Sequence, residues 1–320
     1  MIKYATLSDA RKCVTLWAGD PSSLRHVGNF GNSVFAFRGE SGDQQILRLT
    51  DPSYRNPDDV LAEINFLGYL RRHGVSIASA LAATDGQFIV TAEVEAGRFI
   101  CSSFAFAPGI RVEPGSPCWS NKFFREWGRN LASIHKASRS YQTAPAEPKR
   151  WNWDEEILFR QAEELIPKHD QRSMRAYEEV VRACRALPRD PGEFGVIHAD
   201  HAPQNFNFDP MSDKIVAFDF GNCCYHWFVS DVAISLSTVI REENRETIKN
   251  ELLEGYSEIH SLPRDYDDLI DLFIRLRTVY VYLDRLHAWG ANMTPDQTSR
   301  VEQIRGRIHA RKGWRNEGVR

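Results

Sequence analysis

The sequence predicts an α+β fold in which an antiparallel sheet with one helix precedes a larger, mainly helical part, and three observations predict it. Short alternating apolar runs separated by Gly, Asn and Pro turns fill the first third of the chain, as antiparallel strands require. After Ala107-Pro108-Gly109 the apolar residues fall at three-and-four spacing, the helical period. One further pair of short apolar runs, 206–208 and 215–218, interrupts the helices around the turn Asp209-Pro210-Met211-Ser212-Asp213. The chain therefore divides into residues 1–106 and 107–320.

Taken in order, Val27-Gly28-Asn29-Phe30-Gly31-Asn32-Ser33-Val34-Phe35 reads strand, small-residue turn, strand. Gly28, Gly31, Asn32 and Ser33 can aim backbone N–H groups at phosphates. The next strand, Gln45-Ile46-Leu47-Arg48-Leu49, sets one cation, Arg48, among apolar residues. A helix over 58–72 follows, with Pro57 and two acidic residues at its start and Gly74 at its end. At helical spacing Glu63 shares a face with Phe66, Leu67 and Leu70, so its carboxylate needs a partner, and Arg48 is the candidate. Residues 88–93 and 98–106 read as paired strands. Phe124, Trp127, Leu131 and Ile134 mark a packing helix over 121–137. A connector with Pro145 and Pro148 leads to helices over 154–166 and 172–186, and later helices are expected over 231–240, 245–259, 267–289 and 295–311.

Composition excludes several classes. A chain of 320 residues, 42% hydrophobic and 26% charged, is long enough for two cores, and its net charge of −3 argues against a general nucleic-acid binder. No apolar run approaches the ~18 residues of a membrane span, and the first residues lack the apolar core of a signal peptide, so a cytoplasmic protein is expected. The six cysteines show no paired metal spacing, and the adjacent Cys223 and Cys224 are expected to be reduced thiols.

The densest chemistry lies between Gly195 and Phe220, where His198, Asp200, Asn205 and Asp219 gather around the short strand pair. A hairpin symmetric about Ser212 sets Phe206 against Phe218, Phe208 against Val216, and Asn205 against Asp219. Phe206, Phe208, Val216 and Phe218 then share a core face, while Asn205, Asn207 and Asp219 share the other. Opposed residues have Cβ atoms roughly 5 Å apart, so an amide oxygen and a carboxylate would converge on one point. That donor set suits Mg²⁺, which needs few protein ligands when phosphates supply the rest. Asp200, on the loop before, can reach a substrate hydroxyl.

This segment resembles the aminoglycoside phosphotransferase and choline kinase family of the protein-kinase-like superfamily, whose signature runs His-Gly-Asp-Leu-His-Pro-x-Asn, then a strand, then Asp-Phe. The resemblance implies a bilobal kinase-like fold with a nucleotide-binding N-terminal part. It implies that Asp200 is the catalytic base and that Asn205 and Asp219 hold the metal. It also sets Arg48 where kinases place a phosphate-gripping Lys, steadied by Glu63. Phe104 would back the adenine pocket, with the carbonyl of Ala105 and the N–H of Ala107 meeting the adenine edge. The cofactors implied are ATP, or another NTP, and Mg²⁺. The chain departs from the pattern at Ala199 (usually Gly), His201 (usually Leu) and Ala202 (usually a second His), and at Gly221-Asn222, where many relatives carry another acid.

The expected activity is transfer of a phosphoryl group to a hydroxyl of a small molecule, an amine among the candidates, with no nucleic-acid or membrane partner. Aromatic residues near the motif can hold an amine by cation–π attraction, and Tyr225 and Trp227 are the candidates beside the metal strand. The rival readings are a protein Ser/Thr kinase of the same fold and a noncatalytic nucleotide-binding scaffold.

Overall fold

In the computed structural model, which describes residues 2–29 and 31–316, the chain opens with α1 (Leu7–Val14), β1 (Asp20–Asn29), β2 (Asn32–Arg38), β3 (Gln44–Thr50) and α2 (Pro57–Arg72). It continues through β4 (Ala80–Leu81), β5 (Ile89–Val94), β6 (Gly97–Ala105), α3 (Asn121–Ser138), the short helices α4 (Ile157–Arg160) and α5 (Ala162–Leu165), and α6 (Gln171–Arg185). Then come β7 (Phe194–Ile197), β8 (Phe206–Asp209), β9 (Lys214–Ala217), β10 (Cys224–Trp227), α7 (Phe228–Thr238), α8 (Arg245–Ser257), α9 (Tyr266–Trp289) and α10 (Pro295–His309). Phe30, part of the expected small-residue turn, lies outside the described residues. Two compact units result: Met1–Val112 with Tyr141–Arg150 and Phe206–Gly221, and Glu113–Ser140 with Trp151–Asn205 and Asn222–Arg320.

In the first unit an antiparallel sheet runs β1-β2-β3-β6-β4, with β5 also paired to β6. Strand alternation gives it two apolar faces. Phe35, Phe37, Leu47, Leu49 and Phe99 pack with Val14 and Trp17 at the α1 side, and Ile100 packs with Val60 and Ile64 of α2 on the other. The sequence reading missed α1, although Thr6 and Asp9 carry its signature: each side chain caps the other's backbone N–H.

The hairpin β8–β9 also belongs to the first unit, and its register corrects the expected one. Phe206 pairs with Ala217, Asn207 with Val216 and Phe208 with Ile215, one residue away from symmetry about Ser212. The loop sets this slip. Asp209 Oδ1 accepts from Met211 N (3.0 Å), Asp209 Oδ2 from Ser212 Oγ (2.6 Å), and Asp213 takes a left-handed φ of 55°. The slip moves Ile215 and Ala217 onto the buried face in place of Val216 and Phe218, which are half-buried. The ladder ends at Phe206, so the argument that set Asn205 opposite Asp219 fails; Asn205 instead closes a 3₁₀ turn, Pro203–Asn205. Backbone bonds fasten the hairpin to its unit: Ile110 and Phe208 exchange both (2.8 and 2.9 Å), and Ala78 N donates to Ala217 O (2.8 Å). Gly109, at φ 100°, permits this approach, because a Cβ there would stand 2.5 Å from Phe208 O.

In the second unit α3 and α8 touch through reciprocal glycines. A Cβ on Gly128 would lie 1.9 Å from Leu252 O, and one on Gly255 the same distance from Arg125 O. The helix expected over 154–166 is not continuous. Glu156 is extended (ψ 132°), so the segment becomes a 3₁₀ turn, Trp153–Glu155, followed by α4 and α5. None of the six cysteines is in a disulfide. Among the described residues no helix is long and apolar enough to cross a membrane.

Candidate active site

On β3, alternation turns Arg48 to the α2 face while Leu47 and Leu49 face α1. There Arg48 Nη1 and Nη2 donate to Glu63 Oε1 and Oε2 at 2.9 and 2.7 Å, with side-chain exposures of 7% and 3%. The Phe104 ring lies 4.7 Å from the guanidinium carbon. Beside this pair sits Gly221: a Cβ there would be 3.7 Å from Arg48 Nη1 and 3.5 Å from Asp219 Oδ1, so cation and carboxylate flank one small residue. Asp219 is exposed and holds φ 62°, a conformation that costs a non-Gly residue about 1–3 kcal/mol and persists where its surroundings over-determine it. The backbone two residues on is held by Arg150, which the sequence reading missed. Buried in the Tyr141–Arg150 segment, it donates to Asp59 O (2.7 Å) in the first turn of α2 and to Gly221 O (2.6 Å).

The small-residue turn offers backbone rather than side chains. Ser33 Oγ accepts from Ala5 N (2.8 Å) and Asn32 Oδ1 from Thr50 Oγ1 (2.7 Å), so both side chains are engaged within the fold. At the end of β6, Ala105 N donates to Ser79 O (2.8 Å) and Ala107 O accepts from Asn207 Nδ2 (2.7 Å). The bonds made use the complements of the two groups expected to meet adenine.

In the second unit the loop after β7 is held by a buried carboxylate. Asp231, on α7, accepts from His198 N (2.8 Å), Ala199 N (2.9 Å) and His135 Nε2 (3.2 Å). Burial would raise its pKa, but the His135 hydrogen bond and the neighbouring histidines hold it below the usual carboxylate range. Burial lowers the pKa of His135, so the ring is neutral: Nε2–H serves Asp231, and Nδ1 accepts from Tyr256 Oη (2.8 Å). Thus anchored, the loop presents Asp200 between two donors. Arg277 Nη2 meets Oδ1 at 2.5 Å, and Asn205 Nδ2 meets Oδ2 at 2.9 Å and the Asp200 carbonyl at 2.8 Å. The amide nitrogen of Asn205 is thereby committed, and its Oδ1 is the atom left to act as a ligand. Arg277 on α9 carried no local sequence signal.

His201 does not take the place of the missing second His. It is fully buried, with Nδ1 accepting from Trp127 Nε1 (3.1 Å) and Nε2–H donating to Asn130 Oδ1 (2.9 Å); burial holds its pKa well below that of free imidazole. Both nitrogens serve the core.

A cavity of about 60 Å³ adjoins the loop, reaching Ala199 and Arg277, with Trp151, Trp153, Phe159, Phe273 and Tyr280 as its aromatic wall. The two aromatic residues expected to hold an acceptor, Tyr225 and Trp227, do not line this cavity. β10 pairs with β7, and Cys224 and His226 face the cavity instead of Tyr225 and Trp227. Trp227 is buried, donates Nε1–H to Pro188 O (2.7 Å) and packs edge-on to Phe194. Tyr225 pairs its backbone N–H with Trp151 O (2.9 Å). Period two was right, but the choice of face depended on the partner strand.

Comparison with known proteins places this arrangement. The model of the phosphotransferase enzyme family (APH) matches residues 24–269. The chain belongs to that family. Within it, the chain is 29% identical to the amicoumacin kinase of Bacillus subtilis (strain 168) over 247 residues, 74% of this chain and 72% of that protein. It is 27% identical to the homoserine kinase of Caulobacter sp. (strain K31) over 244 residues, covering 73% and 72%. The solved structure of an amicoumacin kinase, hAmiN, in complex with AMP-PNP, Ca²⁺ and Ami superposes with a TM-score of 0.88 at 24% identity, covering 97% of this chain and 95% of that one. These relatives are kinases of small molecules, and the chain is a phosphotransferase of that kind with a hydroxyl as acceptor. In family terms the Ala199 departure has a visible consequence: the position takes φ 64°, where Gly is free of the Cβ clash and Ala is not.

Proposed function

We propose that the chain transfers a phosphoryl group from ATP, bound with Mg²⁺, to the hydroxyl of a small molecule, with Asp200 as the base. The observation that carries this reading is the fixing of both Asp200 carboxylate oxygens, by Arg277 and Asn205, on a loop whose own N–H groups are pinned by Asp231. A carboxylate so oriented can align an incoming hydroxyl and accept its proton, and phosphoryl transfer depends chiefly on positioning and charge neutralisation.

Asn205 and Asp219 each carry a donor of the type a hard divalent cation takes, one an amide oxygen whose nitrogen is already committed and the other a carboxylate on an exposed residue. When bound, Mg²⁺ would neutralise charge on those phosphates. Arg48, held by Glu63, and the backbone at Gly28, Gly31, Asn32 and Ser33 grip the nucleotide's phosphates. The Ala105 carbonyl and Ala107 N–H meet the base, and Phe104 lies behind it. Residues 1–106 are thus the nucleotide-binding part and 107–320 carry the base and the acceptor site. The nucleotide supply this needs is that of the cytoplasm.

Asp200→Asn, which keeps shape and removes basicity, should lower kcat about 10²–10⁴-fold while nucleotide affinity, measured by calorimetry with Mg²⁺ and AMP-PNP, stays within a few-fold. Full phosphoryl transfer by that variant would sink the assignment.

A further inference from the structure

The cavity beside Asp200 is lined by hydrogen-bond donors that the protein does not use. Trp153 is 2% exposed, and its Nε1–H is buried with no hydrogen-bond partner. A buried orphan donor of this kind is costly and points to a missing acceptor atom. Ser230, also 2% exposed, supplies a second donor. His226 Nδ1 accepts from Trp227 N (2.9 Å), so the ring proton sits on Nε2 and is given to Ser230 Oγ (3.3 Å). Burial keeps that imidazole neutral by lowering its pKa to about 3. The Ser230 O–H is then left to donate. Arg277 is the third: one of its N–H groups is bonded to Asp200, and of the five in the fork the rest can bond a second anion in the cavity.

Such a wall selects for oxygen acceptors carrying negative charge. The Trp151 and Tyr280 rings on the same cavity accommodate an ammonium group, so a ligand that carries one beside its carboxylate suits this wall. At about 60 Å³ the space is large enough for a group of carboxylate size. Because Arg277 touches both the cavity and Asp200 Oδ1, a carboxylate on its guanidinium sets the rest of a short ligand beside the base.

We propose that the phosphoryl acceptor is a small hydroxylated amino acid, its carboxylate held by Trp153 Nε1, Ser230 Oγ and Arg277 and its hydroxyl presented to Asp200. This rests on the phosphotransferase reading above and narrows it to one substrate class. In the reaction the acceptor oxygen forms a bond to the γ-phosphorus, the bond from that phosphorus to the β–γ bridging oxygen breaks, ADP leaves with the electron pair, and Asp200 takes the hydroxyl proton.

The test pairs each hydroxyl amino acid with its decarboxylated counterpart: L-serine with ethanolamine, L-threonine with 1-amino-2-propanol, L-homoserine with 3-amino-1-propanol. Transfer is read as ADP release with Mg·ATP, and binding by calorimetry with Mg·AMP-PNP. The amino acid of at least one pair should exceed its partner about tenfold to a hundredfold in kcat/KM, the worth of a charge-assisted hydrogen bond. Trp153→Phe, which keeps the ring and removes the N–H, should shrink that ratio about tenfold, as should Ser230→Ala. Preferred transfer to the amino alcohols overturns the carboxylate inference and leaves the kinase reading standing. Binding of an amino acid that weakens in Trp153→Phe, without transfer to any compound, supports the inference and counts against the kinase reading. If no amino acid binds, or if both variants keep the wild-type ratio, the inference is wrong.

Discussion

Replacing Glu63 with Gln separates the structural from the functional work of the Arg48 pair. Both side chains are more than nine-tenths buried, and two bonds at 2.9 and 2.7 Å join the guanidinium to the carboxylate. Arg cannot shed its charge, so removing the carboxylate strands a cation in the interior, a change worth about 3–5 kcal/mol. At a urea m-value of about 2 kcal/mol/M, the unfolding midpoint followed by circular dichroism should fall by about 1.5–2.5 M. The double variant Arg48→Met/Glu63→Leu removes both charges at similar volume and should return to within about 1 kcal/mol of the parent. If Arg48 grips phosphate as proposed, transfer activity should not return, because a cation in that role is worth about 10²–10³ in rate. A midpoint change under about 0.5 M in Glu63→Gln, about a quarter of the expected drop, would show that the pair is effectively solvated. Unchanged kcat/KM for ATP in the folded double variant would show that Arg48 does not contact phosphate.

Three further outcomes can be measured. Ala199→Gly should raise stability by up to about 1 kcal/mol by relieving the Cβ clash at φ 64°, and a lower melting temperature would refute that account. His201 and His226 are both fully buried and held below free imidazole, so the unfolded chain takes up their protons first as pH falls through about 6.5, and stability should drop by about 1.4 kcal/mol per pH unit for each. An unfolding free energy flat between pH 7 and 4.5 would refute this. Arg150→Ala should raise the KM for ATP by freeing Gly221 and the first turn of α2, with Lys recovering little because it cannot reach both carbonyls; an unaltered KM in a folded variant would show that Arg150 is only structural.

The parts of the site legible in the sequence are those written in local codes. Arg48 and Glu63 each break an apolar pattern, one of period two and one of period 3.6, and two charges placed on facing surfaces have to meet. Asp200 and Asn205 sit five residues apart in one loop, and their bond closes within it. What the sequence hid depends on groups far along the chain. The hairpin register turned on how Asp209 caps its own loop, and the face of β10 turned on pairing with β7, some thirty residues earlier. Arg277, Arg150 and Asp231 reach residues 77, 71 and 33 positions away. No spacing rule encodes such contacts. The break at Glu156 hid in the same way: the segment scans as one helix, and only the cavity that Trp153, Glu156 and Phe159 line together shows why it is bent.

The motif that reads as one continuous stretch from His198 to Asp219 is divided in the folded chain between Asn205 and Phe206. The division assigns work. Asp219 shares the unit that carries the β-sheet with Arg48, Gly221 and Arg150, and Arg150 bonds the carbonyl of Gly221 two residues after it. Asp200 and Asn205 travel with Arg277 and the donor-lined cavity, so the base is held by a residue that also lines the cavity proposed for the acceptor. Substitutions within one group share partners and should be non-additive, whereas Arg150→Ala and Ser230→Ala share none and should add in their effects on stability to within about 0.5 kcal/mol. A thermodynamic cycle on those two, compared with one on Arg48 and Glu63, measures whether the chemistry is partitioned as the backbone is.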